Sequence, residues 1–222
     1  MKRITVIGVA LVAVLALGVM AASASAAPPE FLNSSGSAAT GATFTATSGA
    51  GTLKGTEEIK CEGGSSSGTI SGASTVSSVL VDFTGCYKGT EKKESTLCHS
   101  KGQTGSSILT VHLSGSLGSV ETSEAASGVG LLLAPASGTE YTSVEHCTSS
   151  PSHVTGSVIG EVTPVNTLSS IGHLIYEKNS GNEKLQKIMS FIGGPEDKLT
   201  AFGPSAIKVS NEITFSEEIK VN

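Results

Sequence analysis

The clearest pattern of apolar and polar positions lies in residues 79–118. One alternation of apolar and polar residues runs over residues 79–84, and a second runs over residues 108–113. Such alternation is typical of β-strands with one buried face. The loop between the two segments carries Cys86 and Cys98. The pattern therefore predicts two strands that flank a loop, which a disulfide between these cysteines would close.

Other segments repeat this pattern and are separated by turns rich in Gly and Ser. Runs of four to eight alternating residues bounded by such turns indicate short strands. We predict a turn at residues 63–68 and strands at residues 43–47, 56–61, 69–71, 129–133, 141–147 and 154–165.

Two stretches near the C-terminus extend the pattern. Residues 183–192 fit both helical spacing and alternation, and the Gly193-Gly194-Pro195 turn that follows favours a strand. Between Ile207 and Val221 the apolar residues occupy odd positions and most polar residues occupy even ones. This stretch predicts one apolar and one solvated face, with a hairpin turn expected near Asn211.

Short strands joined by small-residue turns, with little helix, are typical of an antiparallel β-sandwich or barrel. Residues 43–222 are long enough to bury one sizeable core. We therefore predict a single all-β domain of about ten strands, stapled by disulfides. Residues 27–42 are mostly small, and we expect them to form a flexible segment before the domain.

The first 26 residues have the composition of a secretory signal peptide. Lys2 and Arg3 precede an apolar run over residues 4–20, and Ala24-Ser25-Ala26 forms a small-residue cleavage site. We expect cleavage after Ala26, because cleavage after Ala27 would put Pro28 at the scissile bond. An uncleaved membrane anchor is the alternative, and it is disfavoured because the run is short for a membrane-spanning helix. No later apolar run reaches spanning length, so the mature chain is predicted to be secreted or to lie on the extracellular face of the cell envelope.

Charge and composition argue against several classes of function. The chain has 14 Lys and Arg against 19 Asp and Glu, a net charge of −5, and loss of Lys2 and Arg3 makes it two units more negative. Arg3 is also the single arginine, and arginine supplies the planar fork that reads phosphates and guanine edges. We therefore expect no nucleic-acid partner. The absence of Trp disfavours a sugar-stacking platform.

Four cysteines suit an exported protein. Cys61, Cys86, Cys98 and Cys147 allow three pairings, among which the sequence cannot choose; we prefer Cys86 with Cys98 and Cys61 with Cys147. A zinc site built from the Cys98-His99 and His146-Cys147 neighbours is the competing interpretation. Neighbours in an extended chain point to opposite faces, so we expect disulfides and no bound metal or other cofactor.

Catalytic residues are hard to find in the sequence. Ser66 lies in a G-x-S-x-G string, but a nucleophile elbow requires a strand before the string and a helix after it, and a strand pattern follows here. Asp82, flanked by Val81 and Phe83, is the more interesting acid, although a solvated strand face explains it as well. None of His112, His153 and His173 has a ligand partner at suitable spacing within one element.

The motifs also support a resemblance. In order along the chain they are EIKC, VDFTGC, LCHSKG, ILTVHLSGSLG, VGLLLAP and GSVIGEVTPVN. This order resembles a group of uncharacterised secreted β-rich proteins from soil actinobacteria over residues 56–194. That group has no assigned activity, so the resemblance implies an exported, disulfide-bearing β-domain and carries over no functional residue.

Two hypotheses of function follow. We favour an exported non-enzymatic protein that binds or sits in the cell envelope, with a cell-wall polymer or a surface protein as its partner. The alternative is a secreted hydrolase whose acid and base meet only in the fold, with Glu145, His146 and Asp82 as its candidates.

Overall fold

The computed structural model describes residues 27–121, 128–148 and 151–222; the predicted signal peptide lies outside these ranges. Within them the only helical element is one 3-10 turn, Glu94–Thr96, so the all-β prediction is confirmed. The strands are β1 Phe31–Leu32, β2 Thr43–Ser48, β3 Gly51–Lys54, β4 Glu58–Cys61, β5 Gly63–Ile70, β6 Thr75–Thr84, β7 Tyr87–Lys88, β8 His99–Ser100, β9 Ile108–Leu109, β10 Leu113–Val120, β11 Gly128–Pro135, β12 Glu140–Glu145, β13 Ser152–Gly156, β14 Val158–Thr163, β15 Ser169–Tyr176, β16 Leu199–Thr200 and β17 Pro204–Val221.

Eight strands close into an antiparallel barrel. Each strand pairs with the next in the order β2, β5, β6, β10, β11, β14, β15, β17 and back to β2. Closure leaves these strands without an open edge. Because side chains alternate across a strand, one face of every strand points into the barrel and the other points outward.

Seven of the other described strands, β3, β4, β7, β8, β12, β13 and β16, lengthen the barrel wall at one end. Residues 206–208 of β17 pair with β3, which pairs with β4, and β4 pairs with β7. On the other side of β17, pairing runs through β16, β13 and β12 to β8. A bridge between Tyr87 and Leu97 joins the two arms. The extra strands therefore form a second ring stacked on the first.

The other end of the barrel is plugged by the two ends of the described chain. Phe31 pairs with Val221 where β1 meets the end of β17, and both are buried together with Ile219. Ala39 and Ala42 are buried in the same core. The expectation of a flexible segment at residues 27–42 is thus wrong, because one large apolar residue, Phe31, anchors the small-residue segment to the barrel.

Four local predictions also differ from the structure. The strand predicted at residues 108–113 is interrupted, because β9 ends at Leu109, β10 begins at Leu113 and Val111 between them is 44% exposed. Residues 63–68 form part of β5 and not a turn, because β2 and β6 pair with them on both sides. Residues 183–192 form neither a strand nor a helix. The C-terminal alternation is a single strand, β17, and the expected hairpin at Asn211 is absent from it.

Residues 177–198 cross the outside of the barrel wall. Their apolar residues Ile188 and Phe191 pack with Val120 and Ile159, which point outward. The ring of Phe191 covers Gly118, where an added Cβ would lie 2.5 Å from the ring. Side-chain packing, and not a ladder of backbone hydrogen bonds, holds the segment against the wall, so its backbone is irregular.

The preferred cysteine pairing is wrong: the structure joins Cys61 to Cys86 and Cys98 to Cys147. All four cysteines lie in the second ring, where Cys61 ends β4, Cys86 precedes the β7 that pairs with β4, and Cys98 precedes the β8 that pairs with β12. The Cys98 amide donates to the Cys86 carbonyl, so these two are neighbours. They do not bond to each other, because Cys86 bonds to Cys61 at the end of β4 and Cys98 bonds to Cys147, which follows β12.

The described residues contain no helix long and apolar enough to cross a membrane.

Candidate functional site

An internal space lies inside the barrel. It is a cavity of ≈ 140 Å³ lined by inward-facing residues of both rings. Barrels of about eight strands have an interior that side chains fill or that holds one small ligand. A cavity of this size lined by aliphatic and aromatic residues stays dry and accepts a benzene-sized guest. The cavity is therefore the candidate binding site.

Small residues on two adjacent strands explain why the interior is not filled. Ala46 of β2 lies beside Ser66 of β5 and Ile213 of β17 in the strand registers, and Ser66 lies beside Val81 of β6. All four line the cavity. Two neighbouring positions in this row thus carry side chains too short to reach the opposite wall.

Most polar side chains that line the cavity are hydrogen-bonded to the backbone. The Thr110 hydroxyl accepts from the Val81 amide at 3.1 Å, and the Thr142 hydroxyl donates to the Leu109 carbonyl at 2.9 Å. The Asn211 side-chain amide donates to the Leu174 carbonyl at 2.9 Å. These bonds fix polar groups to the wall and leave few of them free to meet a ligand.

Tyr176 and Thr52 are the exceptions. Tyr176 ends β15, is only 6% exposed and lines the cavity, yet its hydroxyl has no hydrogen-bond partner in the described structure, and the buried Thr52 hydroxyl of the same lining also lacks one. The nearby Tyr141 hydroxyl, by contrast, donates to the Leu133 carbonyl. A buried polar group without a partner costs free energy, so the hydroxyls of Tyr176 and Thr52 are the groups of the lining that a bound molecule can satisfy.

Burial keeps both phenols neutral. Loss of solvent raises the pKa of Tyr176, and it raises the pKa of Tyr141 with a smaller contribution from Tyr176 itself. None of the described residues that line the cavity is charged. An ion entering this site would lose its hydration without gaining a counter-charge, so the site suits a neutral molecule.

The catalytic candidates from the sequence lie elsewhere or lack partners. Ser66 is inside β5, where a strand and not a helix follows it. Asp82 faces outward on β6 and accepts a hydrogen bond from Ser107 at 2.5 Å, so its partner is a serine and not a histidine. Because no helix follows Ser66, the G-x-S-x-G string around it does not form a nucleophile elbow.

Glu145 and His146 lie at the far end of the second ring. Glu145 is opposite His99 in the strand register, and the rings of His99 and His146 are 5.5 Å apart. His146 donates through Nδ1 to the Leu97 carbonyl at 2.9 Å. Two imidazoles thus meet beside the Cys98–Cys147 disulfide, but among the described residues no group of three or more His, Cys, Asp or Glu is arranged to hold a metal.

The other histidines are surface residues. His153 contacts Glu140 across β12 and β13 with an Nδ1–Oε1 distance of 3.0 Å, and both side chains are largely exposed. His112 is exposed between β9 and β10. His173 lies opposite Glu212 in the register of β15 with β17. For each of these histidines, a place on the protein surface is a better explanation than a catalytic role.

Sequence reasoning missed Tyr176 and Asn211 as cavity residues. The position of Asn211 was a signal that could have been used. Asn211 is a polar residue among the odd-numbered apolar residues of 207–221, and the apolar residues stay on odd positions both before and after it. That continuity indicates one strand with an inward-facing polar residue. Tyr176 had a weaker signal, since it follows Leu174 at the spacing of an inward face.

Comparison with known proteins gives no further guide, since no family model, curated protein or solved structure matches the chain.

Proposed function

We propose that this protein is an exported, non-enzymatic binding protein that holds a small apolar molecule inside its barrel. The observation that carries the proposal is the ≈ 140 Å³ apolar cavity with the unpartnered Tyr176 hydroxyl in its wall. A protein selected only for stability gains from filling such a space, since an empty cavity of this size costs about 3 kcal/mol. Retention of the cavity is therefore explained by a ligand.

Export and an envelope location belong to the same proposal. They are supported by the signal-like first 26 residues and by two disulfides, which are typical of oxidising compartments. The protein then acts in the medium or on the outer face of the envelope, where a wall polymer or surface protein is its macromolecular partner. The resemblance to secreted actinobacterial proteins supports the same location.

The binding test begins with the full chain expressed in an exporting actinobacterial host. Protein purified from the medium is extracted with organic solvent, and the extract is analysed by mass spectrometry. We expect a small neutral molecule in a fixed ratio to wild-type protein and little of it in Ala46→Leu, which shortens the cavity. An extract without such a molecule, or one equally rich from both proteins, would overturn the binding proposal.

The location test uses the same culture. N-terminal sequencing of the exported protein is expected to begin at Ala27, and co-sedimentation with isolated cell wall across a salt series measures envelope association. Retention that resists salt supports a wall or surface partner. Protein that keeps its first 26 residues and stays inside the cell would contradict export, and protein that never sediments would contradict the envelope location.

A further inference from the structure

We infer that the ligand is a small neutral molecule with one hydrogen-bond acceptor, such as a hydroxyl or carbonyl oxygen, that accepts from the Tyr176 hydroxyl. This inference rests on the proposed binding function and narrows it to a chemical class. Tyr176 differs from Thr110, Thr142 and Asn211, which are hydrogen-bonded to the backbone, and its phenol is the larger of the two unpartnered side chains in the described lining.

The two tyrosines differ in what their hydroxyls can do. Tyr141 already donates to the Leu133 carbonyl, whereas the Tyr176 hydroxyl meets no partner among the described residues. The ring of Tyr176 is held in place because it packs over Gly160, where an added Cβ would lie 2.9 Å from the ring. The hydroxyl is thus fixed in position, with a proton to donate.

Position along the barrel places this donor on one wall. Tyr176 is opposite Val209, and the preceding inward residue Leu174 is opposite Asn211. Across the small row, Val81 and Ile213 offer only apolar surface. A ligand beside Tyr176 therefore meets its hydroxyl together with the apolar surface of Val81 and Ile213.

The size and the charge of the cavity narrow the chemical class of the ligand further. A ≈ 140 Å³ cavity suits a single ring or a short branched chain. The uncharged lining among the described residues excludes a free carboxylate, phosphate or amine, because none would find a counter-charge. A phenol, a small cyclic ketone or a terpene-like alcohol has the required combination of shape and polarity.

The test compares p-cresol with p-xylene, which have the same shape and differ by a hydroxyl in place of a methyl group. Binding to the oxidised full-length exported protein is measured by isothermal titration calorimetry, with wild type, Tyr176→Phe and Ala46→Leu side by side. Tyr176→Phe removes only the hydroxyl, and Ala46→Leu reduces the space for either ligand.

For wild type we expect p-cresol to bind about three- to tenfold more tightly than p-xylene after allowing for their solubilities, the gain of one neutral hydrogen bond. Tyr176→Phe should reduce this ratio to near one while leaving p-xylene affinity unchanged, and Ala46→Leu should weaken both ligands. The anion p-toluate should bind more weakly than either ligand.

The outcomes distinguish failure of the proposed binding function from failure of the role inferred for Tyr176. If neither p-cresol nor p-xylene binds wild type, the cavity does not take a ring-sized guest and the proposed function is overturned with the inference. If p-xylene binds as well as p-cresol, or if the ratio survives in Tyr176→Phe, the cavity binds ligands but Tyr176 does not select them. Tighter binding of p-toluate would overturn the neutral class alone.

Discussion

Filling the cavity should stabilise the protein, and Ala46→Leu is the substitution that tests it. Ala46 lies in the wall of the cavity beside Ser66, and its methyl group faces empty space along the short row of the interior. In a close-packed core an added side chain causes strain. At Ala46 the longer side chain of leucine would enter the cavity, so it fills empty space without displacing its neighbours.

The expected gain follows from the size of the change. Leucine adds three carbons, each contributing about 0.8 kcal/mol when buried, against a loss of roughly 0.5 to 1 kcal/mol of side-chain entropy. The net stabilisation is about 1 to 2 kcal/mol, below the roughly 3 kcal/mol that the whole cavity costs. Ser66→Val at the neighbouring position should stabilise by a smaller amount, since it adds two carbons, one of which takes the place of the hydroxyl.

Urea unfolding of the oxidised, ligand-free protein followed by circular dichroism measures these differences. Ala39→Leu is the matched control, because Ala39 is 2% exposed but does not line the cavity. That change should destabilise by about 1 to 3 kcal/mol through overpacking. If Ala46→Leu and Ser66→Val both destabilise as much as the control does, the interior is filled and the cavity does not exist in solution.

Three further predictions concern the stability of the fold. Peptide mapping without reduction should find Cys98 joined to Cys147, and replacing both with Ser should lower the unfolding free energy by about 4 kcal/mol, since they are 49 residues apart. Phe31→Ala should cost about 3 to 5 kcal/mol in urea unfolding because it unplugs the barrel. Burial raises the pKa of Tyr141 and Tyr176 above the unfolded value, so the unfolded chain releases these protons first and stability should fall as pH rises above about 10.

Each of these predictions has its own control. A Cys86–Cys98 peptide in the map would contradict the described pairing. Val111→Ala, at a residue 44% exposed, should change stability by less than about 0.5 kcal/mol, and a Phe31→Ala variant as stable as this one would show that residues 27–42 are dispensable. Tyr176→Phe should show a shallower loss of stability between about pH 9 and pH 11; an unchanged loss would contradict the burial of that phenol.

The sequence predicted the inward face of β6 correctly but not that of residues 108–113, where Ile108 and Thr110 line the cavity and Val111 is 44% exposed. Val79, Val81 and Phe83 all line the cavity, as their alternation indicated, and Asp82 points away from it. The strand at residues 129–133 lies inside β11. Such patterns are local, because the pleat of a strand assigns each residue to a face without reference to its neighbours.

Features that depend on distant parts of the chain were not predictable. The Gly- and Ser-rich residues 63–68 have low strand propensity, and only pairing with β2 and β6 holds them in β5. The cysteine pairing depends on which strands become neighbours, and these are set by the closure of the second ring. The irregular residues 183–192 follow from packing against the outside of the barrel.

Barrel closure also explains why the candidate site was hidden in the sequence. In an isolated strand Ala46 and Ser66 are ordinary small residues, and their row becomes the side of a cavity only when β2, β5, β6 and β17 curve around one space. Tyr176 and Asn211 come from strands far along the chain and meet that space from β15 and β17. The surface acids and histidines, which offered the more obvious chemistry, lie outside it. Function in this fold is therefore best sought on the inward faces of the strands, where small residues leave room and the hydroxyls of Tyr176 and Thr52 lack a partner among the described residues.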